Sequence, residues 1–187
     1  MNLPPTHMNP NQNRRLLVVD DNKAIHDDFR KILSPDEPTR AALDITETAL
    51  FGNSENEDQQ IQFEIDSAYQ GQDGVVRVKE ALERGSSYAV AFVDMRMPPG
   101  WDGLKTAQEI LKIDPEIQIV ICTAYSAYSW NEISEKICST DRMAILKKPF
   151  DTVEVLRLTQ ELTEKWRLIH FDLKNRVMAM KNKEPKE

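Results

Sequence analysis

The sequence predicts an α/β fold, a five-stranded parallel sheet with helices on both faces. Three observations point there. First, apolar runs of strand length alternate with segments of helical spacing, β then α, five times along 187 residues. Strands separated by helices run parallel, because a parallel pair needs a long crossover. Second, four of the runs, Arg15–Val19, Tyr88–Val93, Ile117–Cys122 and Met143–Leu146, are nearly continuous apolar stretches. Strands covered on both faces look like that. Third, each of these runs ends in polar groups, as strands do where their carboxyl ends share a ligand-binding edge.

Taken in order, Met1 to Asn13 is polar and rich in Pro and Asn. It lacks the charged start and apolar core of a signal peptide and reads as a disordered lead-in. A strand at Leu16–Asp20 follows, then a helix over Ala24–Leu33 with Ile25, Phe29, Ile32 and Leu33 at helical spacing. Pro35 and Pro38 end it. Ser34 to Gln60 is far longer than an ordinary connection. Its first half has Leu43, Leu50 and Phe51 at roughly helical spacing, and its second half is polar and acidic. It reads as a solvated insertion or a docking element.

The second strand is Ile61–Ala68, followed by a turn at Gly71–Gly74 and a helix over Val75–Leu82 that stops near Gly85. The third strand, Tyr88–Asp94, leads through Pro98-Pro99-Gly100 into a helix over Leu104–Ile113. The fourth strand is Ile117–Cys122, with a helix expected over Ala127–Ile137. The fifth is Met143–Leu146, and a last helix starts after Asp151, where Asp151 and Glu154 resemble a capping box. No Gly or Pro follows until Pro185. A helix of roughly 30 residues, about 45 Å, is therefore allowed. Leu162, Trp166, Ile169, Leu173 and Met180 fall near a heptad pattern, interrupted by Arg176, so the helix is expected to project and pair. The expected division is a lead-in over 1–13, a domain over 14–162 with its insertion at 34–60, and a projecting helix over 163–187.

Composition narrows the function. The chain is 40% hydrophobic and 29% charged, with a net charge of −7. That charge argues against a nucleic-acid backbone as the main partner. No run of about 18 apolar residues is present, so no membrane span is expected. Two cysteines are too few for a disulfide framework, and Cys122 reads as a buried reduced thiol. The three histidines are scattered, with no zinc-ligand spacing. A cytoplasmic protein is expected.

The strand ends carry the chemistry. Asp20 and Asp21 follow the first strand, Asp94 closes the third, Thr123 ends the fourth, and Lys147-Lys148-Pro149 ends the fifth. Three carboxylates at one edge repel one another unless a cation neutralises them. Magnesium suits that demand: it takes oxygen ligands and needs only one or two carboxylates plus phosphate oxygens. A carboxylate can also be a nucleophile that forms an acyl phosphate. Lys148 would neutralise one phosphoryl oxygen and Thr123 would hydrogen-bond another. A cis bond between Lys148 and Pro149 is expected there, at modest cost for an X-Pro bond.

With those residues in place the chain resembles the receiver domain of two-component response regulators over about Arg14 to Leu162. The matching pieces are Leu17-Val-Val-Asp-Asp21, Val93-Asp-Met-Arg-Met-Pro98 with Asp102-Gly103, Val120-Ile-Cys-Thr-Ala124 and Lys148-Pro149-Phe150. The resemblance implies a flavodoxin-like fold with strand order 2-1-3-4-5. It implies Asp94 as phosphoacceptor from a histidine kinase or phosphotransfer protein. It also implies Mg2+ held by Asp21 and Asp94 directly, by Asp20 largely through water, and by the backbone carbonyl of Arg96. Thr123 and Lys148 take the phosphoryl oxygens, and Thr123, Ile145 and Pro149 sit where the conformational switch acts.

Two departures stand out. The loop Pro98–Gly103 is one residue longer than the family pattern. Ile145 stands where the family often has an aromatic residue that reports the threonine's movement. Tyr125, Tyr128 and Trp130 are candidate substitutes, and Arg96 and Tyr125 flank the expected path of attacking water. The long insertion resembles a subgroup whose receivers precede a helical linker and a kinase or cyclic-diguanylate output domain.

The expected role is a non-enzymatic signalling module that accepts a phosphoryl group on its own Asp and loses it by autodephosphorylation. Homodimerisation is expected through the face made by the helix at Ala127–Ile137, the fifth strand and the last helix. The rivals are a degenerate receiver that binds partners without phosphorylation and a haloacid-dehalogenase-type phosphatase. The latter needs a second Asp two residues after the nucleophile, where this chain has Arg96.

Overall fold

The sheet grows outward from the apolar run Arg15–Val19 (β1), whose inner four residues are fully buried. The structure is a computed structural model and describes residues 13–35, 62–124 and 140–181, with side chains in the last helix as far as 172. Residues 1–12 of the lead-in, most of the insertion, the helix expected over Ala127–Ile137 with Tyr125, Tyr128 and Trp130, and residues 182–187 lie outside the described residues. After β1 come α1 (Lys23–Leu33), β2 (Glu64–Ala68), α2 (Gly71–Glu83), β3 (Val90–Asp94), α3 (Gly103–Ile113), β4 (Gln118–Ala124), a 3-10 turn over Thr140–Arg142, β5 (Met143–Lys148) and α4 (Thr152–Lys181). The sheet order is β2-β1-β3-β4-β5, with every pairing parallel. This is the flavodoxin-like order that the resemblance implied.

Strand alternation divides the core in two. On one face Leu16, Val18, Phe92, Val120, Cys122 and Leu146 pack with Phe29 and Leu33 of α1 and Val155, Leu162 and Trp166 of α4. On the other, Leu17, Val19, Ala91, Val93, Ile119 and Ile121 pack with Val78 and Ala81 of α2 and Leu104, Ala107 and Ile110 of α3. Phe29 anchors the first layer, its ring 4.6 Å from Phe92 and 5.0 Å from Phe150.

The turn expected at Gly71–Gly74 is instead the first turn of α2, where Gly74 N–H donates to Gln70 O at 3.1 Å. The glycines serve close packing. A Cβ on Gly74 would lie 2.9 Å from Val19 Cγ2, and one on Gly71 would lie 2.1 Å from Thr106 Oγ1. Their bare backbone lets α2 press onto β1 and α3.

α4 runs for 30 residues, and Asp151 Oδ1 accepts from Glu154 N–H at its start, at 2.9 Å. Its inner face is buried through Val155, Thr159, Leu162 and Trp166. Contacts with the sheet body continue beyond Leu162. Lys165 Nζ donates to Asp141 O, and His170 Nδ1 lies 2.6 Å from Glu116 Oε2 while stacking on Trp166. The first two positions of the expected pairing stripe, Leu162 and Trp166, are thus covered by the domain's own core. Beyond Leu162, among the described side chains, the exposed large apolar residues are Leu168 and Phe171, at 54% and 52%.

Candidate functional site

Asp20, Asp94 and Lys148 share one face of the sheet because each continues a strand at the parity of Val18, Phe92 and Leu146. Parallel pairing then brings the three carboxyl ends to one edge. Lys148 Nζ donates to Asp20 Oδ2 and to Asp94 Oδ1, each at 2.6 Å. The other oxygens are occupied too. Asp20 Oδ1 accepts from Asn22 N–H at 2.9 Å, and Asp94 Oδ2 accepts from Arg96 N–H at 2.8 Å. Asp20 is 2% exposed and Asp94 8%.

Burial alone lowers the pKa of the Lys148 ammonium, but hydrogen bonds and charges from Asp20 and Asp94 outweigh it and hold the value above that of a free lysine. Lys148 therefore stays a cation beside two carboxylates. The expected cis bond between Lys148 and Pro149 is present, as is a second between Pro98 and Pro99. Cys122, paired with Asp94 across the strands, is a buried free thiol whose pKa is pushed up by burial.

The remaining sequence-derived residues are placed as follows. Asp21 is exposed at the rim, next to Asp20. Asn22, and not either aspartate, caps α1, its side chain accepting from Ala24 N–H at 3.0 Å. Arg96 is exposed just past Asp94. Thr123 sits one residue past the level of Asp94, opposite Lys147 on β5. Strand alternation puts it on the face of Ile121 and Ile145, away from Asp94 and Lys148. Ile145 is half-buried against that core. Pro149 is exposed.

Among the described residues no three acidic, imidazole or thiol groups form a closed cation cage. The acids here are bridged by an ammonium on an open edge. One Lys148 charge against Asp20, Asp94 and Asp21 leaves an excess of negative charge on hard oxygen donors. Magnesium, which keeps several of its waters, fits such a half-open set.

Sequence reasoning missed two supports. His26 is 1% exposed, and its Nε2 lies 2.8 Å from the carbonyl oxygen of Asp20. Its signal was its position three residues before Phe29 and seven before Leu33, on the inward stripe of α1. The other is the packing role of Gly103, a residue the sequence matched to the family pattern without assigning it one. A Cβ there would lie 2.4 Å from the Asp94 carbonyl oxygen, so only glycine lets α3 start directly beneath the acid.

Comparisons with known proteins agree with this geometry. A family model described as the response regulator receiver domain matches residues 46–160, more than half of the chain. That span begins after β1, so it does not include Asp20 and Asp21, which enter the site through the sheet register. Solved structures reach across the whole fold. A CheY-like receiver domain protein from Methanospirillum hungatei matches with a TM-score of 0.53 at 19% identity, covering 81% of this chain and 95% of that one. An adenylate cyclase structure from Rhodopirellula baltica gives 0.60 at 18% identity, covering 89% and 98%. The beryllofluoride-activated NtrC4 receiver domain dimer gives 0.55 at 20% identity, covering 82% and 98%. With the family model matched and the five-stranded order in place, the chain belongs to the response regulator receiver domain family and is a phosphoacceptor receiver of two-component signalling.

Proposed function

We propose that Asp94 is the phosphoacceptor and that its donor is a phosphohistidine on a histidine kinase or phosphotransfer protein. The observation that carries this is the Lys148 ammonium held between Asp94 and Asp20 at one sheet edge. Phosphoryl transfer asks a protein mainly for positioning and charge neutralisation. A carboxylate fixed by a backbone N–H and a lysine provides the first, and Lys148 part of the second.

Asp21 and Asp94 would hold Mg2+ directly, Asp20 through water, and Arg96 through its backbone carbonyl. The bound cation would neutralise charge on the acids and the incoming phosphoryl group. Lys148 takes one phosphoryl oxygen. Thr123 takes another after moving from the Ile121–Ile145 side of β4 toward Asp94, and that displacement biases the face made by β5 and α4. Ile145 replaces the aromatic reporter on this path.

The outcome is a change of partner or of self-association along α4, whose outward Leu168 and Phe171 are apolar. The similar NtrC4 receiver is a dimer when activated by beryllofluoride, by its own description. No described helix is long and apolar enough to cross a membrane. We read the chain as a cytoplasmic signalling module with no catalytic activity beyond loss of its own phosphoryl group. The test is labelling with acetyl phosphate and Mg2+. Wild type should take up phosphate, and Asp94→Asn should not. Equal labelling of both would remove Asp94 from its role.

A further inference from the structure

We infer that His26 is a positioning residue for the acidic half of the site, an imidazole whose Nε2–H holds the Asp20 backbone and thereby the Asp20 carboxylate. The inference rests on the reading that Asp20 helps to hold Mg2+. Asp20 is fixed on four sides. Its N–H donates to Ala68 O at 3.1 Å, its carbonyl oxygen lies 2.8 Å from His26 Nε2, Oδ1 accepts from Asn22 N–H, and Oδ2 accepts from Lys148. The first and third of these bonds come from main chain, and the fourth comes from a residue with its own phosphoryl role. Among the described residues, His26 is the one side chain whose polar contact with the site is only to hold Asp20.

A carbonyl oxygen can only accept, so Nε2 must carry the proton. Nδ1 is the ring's other polar atom. It is buried and reaches no hydrogen-bond partner among the described residues. A buried polar atom without a partner is a net cost to the fold. The neighbours on the same helix stripe, Phe29 and Leu33, are apolar and carry no such cost. A histidine here makes physical sense through its other nitrogen.

The ring also packs at 4.7 Å against Tyr69, the residue that follows β2. One imidazole thus joins α1, the end of β1 and the connection from β2 to α2. A group that orients a cation-binding carboxylate through its backbone acts as an outer-shell support, and removing such a support commonly weakens metal affinity about 10–100-fold.

The experiment titrates Mg2+ into the metal-free full chain by calorimetry for wild type, His26→Leu and His26→Gln. The glutamine amide nitrogen stands close to where Nε2 stands in histidine. We expect His26→Leu to weaken Mg2+ binding about tenfold or more and His26→Gln to recover most of that loss. In metal-free His26→Leu the orphan Nδ1 is exchanged for an Asp20 carbonyl that has lost its donor, so the melting temperature should change little. Unchanged affinity in His26→Leu, or a glutamine variant as weak as the leucine one, overturns the inference. Ring-nitrogen NMR of the wild type gives a second check that needs no variant: the Nε2–H tautomer is expected, and the Nδ1–H tautomer overturns the inference. Wild type that binds no Mg2+ overturns the reading of the acidic site itself, an outcome distinct from wild-type binding that His26→Leu leaves intact.

Discussion

Lys148 Nζ and Asp94 Oδ1 lie 2.6 Å apart, although β4 runs between their two strands. The contact spans the sheet edge and also engages Asp20 of β1, so one ammonium ties together the ends of three strands. Its raised pKa has a defined sign. The stability it contributes is fully present below the free-lysine value of 10.5 and is lost as pH rises through the higher folded value. Lys148→Gln leaves two carboxylates facing each other. It should cost roughly 2–4 kcal/mol without metal, toward the low end because the lysine is partly solvated. Urea unfolding of both proteins with and without Mg2+ checks this, and the cation should stabilise the variant more than the wild type.

Tyr88 provides a second alkaline signal, at the opposite end of the sheet. Its hydroxyl donates to Asp66 Oδ2 at 2.6 Å, and burial together with that carboxylate raises the phenol from 10.0 to about 12. The folded state favours the neutral phenol, so its contribution is complete below pH 10.0 and disappears between there and about 12. Tyr88→Phe should cost about 1 kcal/mol at neutral pH and flatten the loss of stability across that window. Denaturation midpoints measured as a function of pH, compared with Lys148→Gln, separate the two groups.

Gly103→Ala tests the seat of the phosphoacceptor. The new Cβ would meet the Asp94 carbonyl oxygen at 2.4 Å and Met95 Cα at 2.9 Å. Both are backbone atoms, so the strand end must shift. We expect a loss of about 1–3 kcal/mol, as for other overpacked sites, together with slower labelling by acetyl phosphate.

Trp166 and Phe171 lie on the same helix with opposite expectations. Trp166 is 7% exposed within the core, so Trp166→Ala should destabilise the domain by about 3–5 kcal/mol. Phe171 is 52% exposed, so Phe171→Ala should change monomer stability by no more than about 0.5 kcal/mol. Its effect should appear in sedimentation of the phosphorylated or beryllofluoride-treated protein, where self-association weakens.

Particular residues show what the sequence could reveal. Asp20, Asp94 and Lys148 were legible because each ends an apolar run, and parallel strands bring such ends to one edge. The glycines at 71 and 74 were misread as a turn. Glycine marks both turns and close approach, and only the contacts with Val19 and Thr106 decide between them. Leu162 and Trp166 read as a pairing stripe because helical periodicity is the same whether a sheet or a second copy covers it. Which face of β4 carries Thr123 depends on register with β3 and β5, information that one strand does not hold. His26 escaped notice because its value lies in one carbonyl six residues back, across a change from strand end to helix.

The central claim is that Asp94 itself carries the phosphoryl group. Acetyl phosphate with Mg2+, followed by borohydride reduction, converts a phosphorylated aspartate to homoserine, which peptide mass spectrometry locates. Homoserine at position 94, dependent on Mg2+, is the predicted result. Reduction at another aspartate, or none in a folded protein that binds the cation, would contradict it.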